Sequence, residues 1–159
     1  LGAVMISLSM MTMGKFFLTD KNIETGQVQR FSIIDFELPY SFSRFKNLID
    51  HISEKTKDTV RMNLRMDYYF MPFIYLFLFF GGWYIMQRHH LFALHPNNYE
   101  VLFLPFIAWL LDIVENRLAF ACLENLTRTT SWSLFFVSFV KWFSIFAYLV
   151  LLFVMDLHH

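Results

Sequence analysis

The sequence predicts an all-α fold: an integral membrane four-helix bundle with a short extramembrane insertion that holds an amphipathic helix. Three observations lead there. The chain is 57% hydrophobic and 16% charged, which is apolar for a soluble domain of 159 residues. Its apolar residues gather in stretches close to the ~20 residues that a spanning helix needs. One of these stretches, Tyr99 to Leu123, carries Asp112, Glu115, Asn116 and Arg117 in its middle. Polar groups at that depth must be satisfied by another helix or by a partner.

The first predicted span is 1–18, LGAVMISLSMMTMGKFFL, apolar apart from hydroxyls and Lys15. It begins on Leu1, so it reads as a membrane helix whose beginning is absent. Lys15 near its end is placed to snorkel to the interface.

Residues 19–65 hold most of the charge and form the predicted insertion. Within it, Phe31 to Leu38 leans toward β structure, and Pro39 stops the run. Phe42, Phe45, Leu48, Ile49 and Ile52 then recur at helical spacing, with Ser41 as candidate N-cap. Arg44, Lys46, Asp50 and Glu54 occupy the opposite face. Two settings suit such a helix: the membrane surface, or the end of the bundle.

The second predicted span is 66–86, with Asp67 at its start, Pro72 inside it, and Gly81 and Gly82 near its end. The polar connection 87–98 contains His89, His90 and His95. The third span is predicted over 99–123 and the fourth over 132–155, interrupted only by Lys141. Trp83, Tyr84, Tyr99 and Trp132 fall near span ends, as an aromatic belt does. The whole is read as one membrane domain, 1–159.

Four spans place 19–65 and the 124–131 loop on one side. That side carries Lys21, Arg30, Arg44, Lys46, Lys55, Lys57, Arg61, Arg65 and Arg128, and the other loop carries Arg88 alone. The positive-inside rule puts the basic side in the cytoplasm, with the inner membrane of a bacterium as the expected location.

Asp112, Glu115 and Asn116 stand at i, i+3 and i+4, so they share a helical face that Ala108 and Ala119 continue. Glu115 lies about nine residues, ~14 Å, in from the 124–131 loop, and Lys141 lies ~14 Å in from Trp132. Antiparallel neighbours joined by a short loop then bring Lys141 to Glu115, with Asp112 a turn deeper. Arg117, at ~10 Å, is nearer the end of the second span that carries Asp67. The expected site is a cluster of Asp112, Glu115, Asn116 and Lys141, with Asp67 and Arg117 on its rim. A cluster of this kind serves either as an ion-paired core that sets helix register or as a proton relay, an ion path or a polar substrate site.

These residues resemble a family of small four-helix bacterial membrane proteins of unknown function. The resemblance rests on FELPYSFSRFKNLI, on the run from Asp67 to Tyr75, on D-x-x-E-N from Asp112 with Pro105 seven positions before it, and on Lys141–Trp142. It touches most of the chain from about residue 32 onward. It implies that Asp67, Asp112, Glu115, Asn116 and Lys141 match the motif positions of that family. It implies no activity.

Other classes find little support. Thirteen basic and thirteen acidic residues cancel, so nucleic acid is not expected as a partner. Cys122 is the single cysteine, which excludes an internal disulfide and a cysteine metal cluster. No predicted span contains a histidine, so membrane haem has no ligands. His158 and His159 read as native residues or the start of a purification tag. No metal and no cofactor are expected. The sequence has no phosphate loop, nucleophile elbow or H-E-x-x-H motif, which leans against an enzyme. The first expectation is an accessory or scaffold subunit in the lipid bilayer, bound to another integral membrane protein or complex. The alternatives are a proton- or ion-coupled transport component using Asp112 and Glu115, and an intramembrane lipid-acting enzyme with these carboxylates as acid and base.

Overall fold

The computed structural model describes residues 17–21, 28–32, 38–39, 41–88 and 96–157. Four α-helices dominate: α1 (Phe42–His51), α2 (Glu54–Arg88), α3 (Leu104–Glu124) and α4 (Arg128–Leu157). A 3-10 helix, Pro96–Phe103, leads into α3. Strands β1 (Phe17–Lys21) and β2 (Val28–Ser32) pair antiparallel, with Phe17 opposite Ser32.

The four helices are not the four predicted spans. The predicted first span lies outside the described residues except for Phe17 and Leu18, and these belong to β1. The β-leaning segment also shifts. Only Phe31 and Ser32 of 31–38 lie in a described strand, and 33–37 fall outside the described residues. The fourth helix is α1, the amphipathic segment.

Each helix starts where local chemistry allows. Ser41 occupies the N-cap of α1, but its hydroxyl meets Ser43 Oγ at 3.2 Å rather than a backbone N–H. Ser53 stands before α2 and accepts from Thr56 N at 3.3 Å. Pro105 sits in the first turn of α3, where a missing N–H costs nothing, and the preceding residues keep the tighter 3-10 winding. Thr127 and Thr130 cap α4 reciprocally: Thr130 N donates to Thr127 Oγ1 at 3.1 Å, and Thr127 N to Thr130 Oγ1 at 3.0 Å.

The second predicted span, 66–86, lies within a longer helix. α2 starts at Glu54 and runs unbroken through Pro72 to Arg88. Residues 54–65 are therefore its first turns, where Glu54 pairs with Lys57 and Asp58 with Arg61 at i, i+3.

α3 is the central helix, packed on α2 and on α4. The hydrogen bond from Asn116 to Leu64 and that from Tyr75 to Asp112 run in opposite sequence directions, so α2 and α3 are antiparallel. Ala108 and Ala119 are buried, as the small-residue face requires. α1 closes the end of the bundle near the α3–α4 loop. Phe45, Ile49 and Ile52 join Val60, Leu64, Cys122 and Leu134 in one core.

At the other end Met86, Leu102, Tyr148 and Leu152 form a second core. Tyr148 donates its hydroxyl to Leu78 O at 2.6 Å. Gly82 makes this possible, because a Cβ at that position would collide with Tyr148 Oη.

Two helices, α2 and the segment Arg128–Met155 of α4, are long and apolar enough to cross a membrane. Only 22% and 28% of their apolar windows are buried inside the protein. α3 is more polar, carrying Asp112, Glu115, Arg117 and Glu124.

Candidate functional site

The middle of the bundle holds a buried ionic cluster contributed by three helices. Lys141 of α4 reaches across to α3. Its Nζ lies 3.0 Å from Asp112 Oδ1 and 2.5 Å from Glu115 Oε2. The side chains of Lys141, Glu115 and Asp112 are 6%, 3% and 13% exposed, so the pairing is made well away from solvent.

Helix geometry produces this meeting. Asp112 and Glu115 are three residues apart and project from adjacent turns of one face. The short 125–127 connection folds α4 back along that face, and one ammonium spans both carboxylates. The expected Lys141–Glu115 contact is therefore present, and Asp112 joins it directly.

The remaining groups are held by α2 and α4. Tyr75 Oη donates to Asp112 Oδ2 at 2.9 Å, so both oxygens of Asp112 have partners. Asn116 turns its amide to α2, toward Leu64 O at 3.5 Å and Met71 Sδ at 3.9 Å. Ser138 lies against the Glu115 carboxylate without a well-aligned hydrogen bond. The Lys141 ammonium also lies 5.0 Å from the Trp142 ring centroid.

The predicted rim divides. Asp67 is half-buried on α2, within electrostatic reach of Asp112, Lys141 and Glu115. Arg117 does not belong to the cluster. It is exposed, and among the described residues it makes no ion pair with Asp67. The cause is angular: one residue past Asn116 turns the side chain by about 100°, off the face that meets α2 and α4.

Sequence reading missed Tyr75 and Ser138. Tyr75 follows Asp67 by a little over two turns of α2, about 80° around it, and Ser138 precedes Lys141 by about one turn on α4. Those spacings were the available signal. His89, His90 and His95 of the polar connection lie outside the described residues. Among the described residues no group of three His, Cys, Asp or Glu is placed to hold a metal ion.

Chemically, the arrangement ties three helices at one depth. It also sets two carboxyl groups, those of Asp112 and Glu115, on one ammonium, with Asp67 within electrostatic reach. No family model, curated protein or solved structure matches the chain.

Proposed function

We propose that the chain is a small integral membrane protein that acts as an accessory or scaffold subunit, its helices set in register by the Asp112–Glu115–Lys141 cluster. One observation carries the reading: the polarity is inverted relative to a water-soluble protein. Glu115, Asn116 and Lys141 are buried, while Phe73, Phe77 and Phe80 of α2 and Phe136, Phe143, Phe146 and Phe153 of α4 are more than half exposed. A bilayer satisfies such a surface, and so does an apolar partner. The basic 19–65 side is assigned to the cytoplasm on the positive-inside argument.

Mild detergent extraction followed by native mass spectrometry tests the subunit reading. A partner of fixed stoichiometry is expected. A stable monomer or homodimer would overturn it.

A second reading has its own observation. With Arg117 outside, Asp67, Asp112 and Glu115 outnumber Lys141 three to one, which gives the centre capacity to take up a proton. This favours a proton-coupled component. Glu115→Gln in proteoliposomes is then expected to keep the fold and abolish a proton flux. An unchanged flux would sink this alternative.

A further inference from the structure

We propose that Arg65 and Arg117 form a two-point site for an anionic phospholipid in the outer groove between α2 and α3. The inference rests on the membrane reading above and goes beyond it. Both arginines are exposed, and among the described residues neither has an ion-pair partner.

Their placement follows from one contact and the winding of the helices. Leu64 and Asn116 face each other across the α2–α3 interface. The next residue on each helix is Arg65 and Arg117, turned by about 100° from that interface. Because the helices are antiparallel, the two rotations carry the arginines to the same flank. The other flank shows the same winding. Glu115, one residue before Asn116, turns to the opposite flank, where it meets Lys141 of α4. The arginine flank therefore faces away from α4. At 1.5 Å per residue the two Cα atoms differ in height by only about 3 Å, and packed helix axes stand about 8–10 Å apart. One phosphate between the helices is within reach of both guanidinium groups.

A second observation supports the same flank. Phe79 is fourteen residues after Arg65 and Phe106 eleven before Arg117, so each returns to within about 40° of its arginine. These two rings touch, with centroids 5.1 Å apart. They lie about 16–21 Å further along the groove. Exposed Leu76 and Leu110 fall between, on the same flank. A charged headgroup site thus opens onto an apolar track about half a ~30 Å hydrocarbon core in length. That is the shape and charge pattern of a phospholipid, not of a free phosphate.

The neighbouring charges leave the pair available. Arg61, one turn nearer the bundle end, is engaged by Asp58 at 2.7 Å and Glu54 at 3.8 Å. Glu124 is seven residues beyond Arg117, about 10 Å higher. Guanidinium suits the role because it binds phosphate oxygens through a planar fork.

The test uses the full chain floated with vesicles of phosphatidylcholine alone, then carried into native mass spectrometry from bilayers of phosphatidylcholine with phosphatidylglycerol. Preferential retention of phosphatidylglycerol is expected. Arg65→Gln and Arg117→Gln should each reduce the preference about five-fold. Lys46→Gln on α1 should leave it unchanged, and inorganic phosphate should not compete. Equal retention of the two lipids, or an unaltered preference in the double variant, would overturn the site. Competition by inorganic phosphate would overturn its assignment to lipid. Failure to insert into phosphatidylcholine would overturn the membrane reading and the site with it. Insertion without lipid preference would remove the site alone.

Discussion

At the scale of single residues, Lys141 carries the greatest consequence. Lys141→Met would strand Asp112 and Glu115 as buried carboxylates, and removing one partner of a buried pair costs about 3–5 kcal/mol. Thermal unfolding in detergent should show that loss. The triple variant Asp112→Asn, Glu115→Gln, Lys141→Met should recover most of it, because neither carboxylate that Lys141 contacts is then left charged. A triple variant as unstable as Lys141→Met would deny the cluster its register role. The adjacent glycines give a sharper contrast. Gly81 faces open space, so Gly81→Ala should be neutral or stabilise by up to about 1 kcal/mol through helix propensity. Gly82→Ala must displace the Tyr148 hydroxyl from Leu78 O, and it should destabilise in the same unfolding assay. Lys141, Asp112 and Glu115 were legible because their spacings and depths were enough to pair them. Arg117 was misplaced because depth alone does not give azimuth.

Among the elements, α1 shows what periodicity does and does not say. The i, i+3, i+4 pattern identified the helix and the buried pair Phe45 and Ile49. It did not choose between the membrane surface and the bundle, since both accept one apolar face. Packing on Val60, Ala119, Cys122 and Leu134 chose the bundle. Phe45→Ala should therefore cost about 3–5 kcal/mol and raise hydrogen exchange at the loop end of α3 as well as in α1. Faster exchange confined to α1 would mean that the helix is only loosely attached. The β1–β2 hairpin was missed because its strands are short and polar-rich, and the apolar count of 1–18 drew Phe17 and Leu18 into a helix. The charged turns of α2 before residue 66 went unread as helix for a related reason: they are held by local ion pairs, and an apolar window ignores them.

For the whole molecule, the exposed aromatic surface makes a direct claim on its surroundings. Trp142 is 50% exposed yet neighbours the buried Lys141. In bilayers of lipids brominated along their acyl chains its fluorescence should be strongly quenched, measured in a variant that keeps Trp142 as the sole tryptophan. An unquenched Trp142 would mean that the aromatic face is not against lipid. Sidedness has a separate test. Ser43→Cys on exposed α1 should react with an impermeant maleimide only from the cytoplasmic side, with Cys122 silent because it is buried.

The sequence by itself determined the helical class, the apolar stretches and the residues of the ionic cluster. These depend on composition, on spacing along one chain and on the fixed rise of a helix. Tertiary structure alone decided which further groups stand around that cluster. It separated Arg117 from Asp67, brought Tyr75 and Ser138 to the carboxylates, and set α1 against the bundle. Each of those outcomes depends on the rotation of one helix against another, and that rotation follows from side-chain packing between elements.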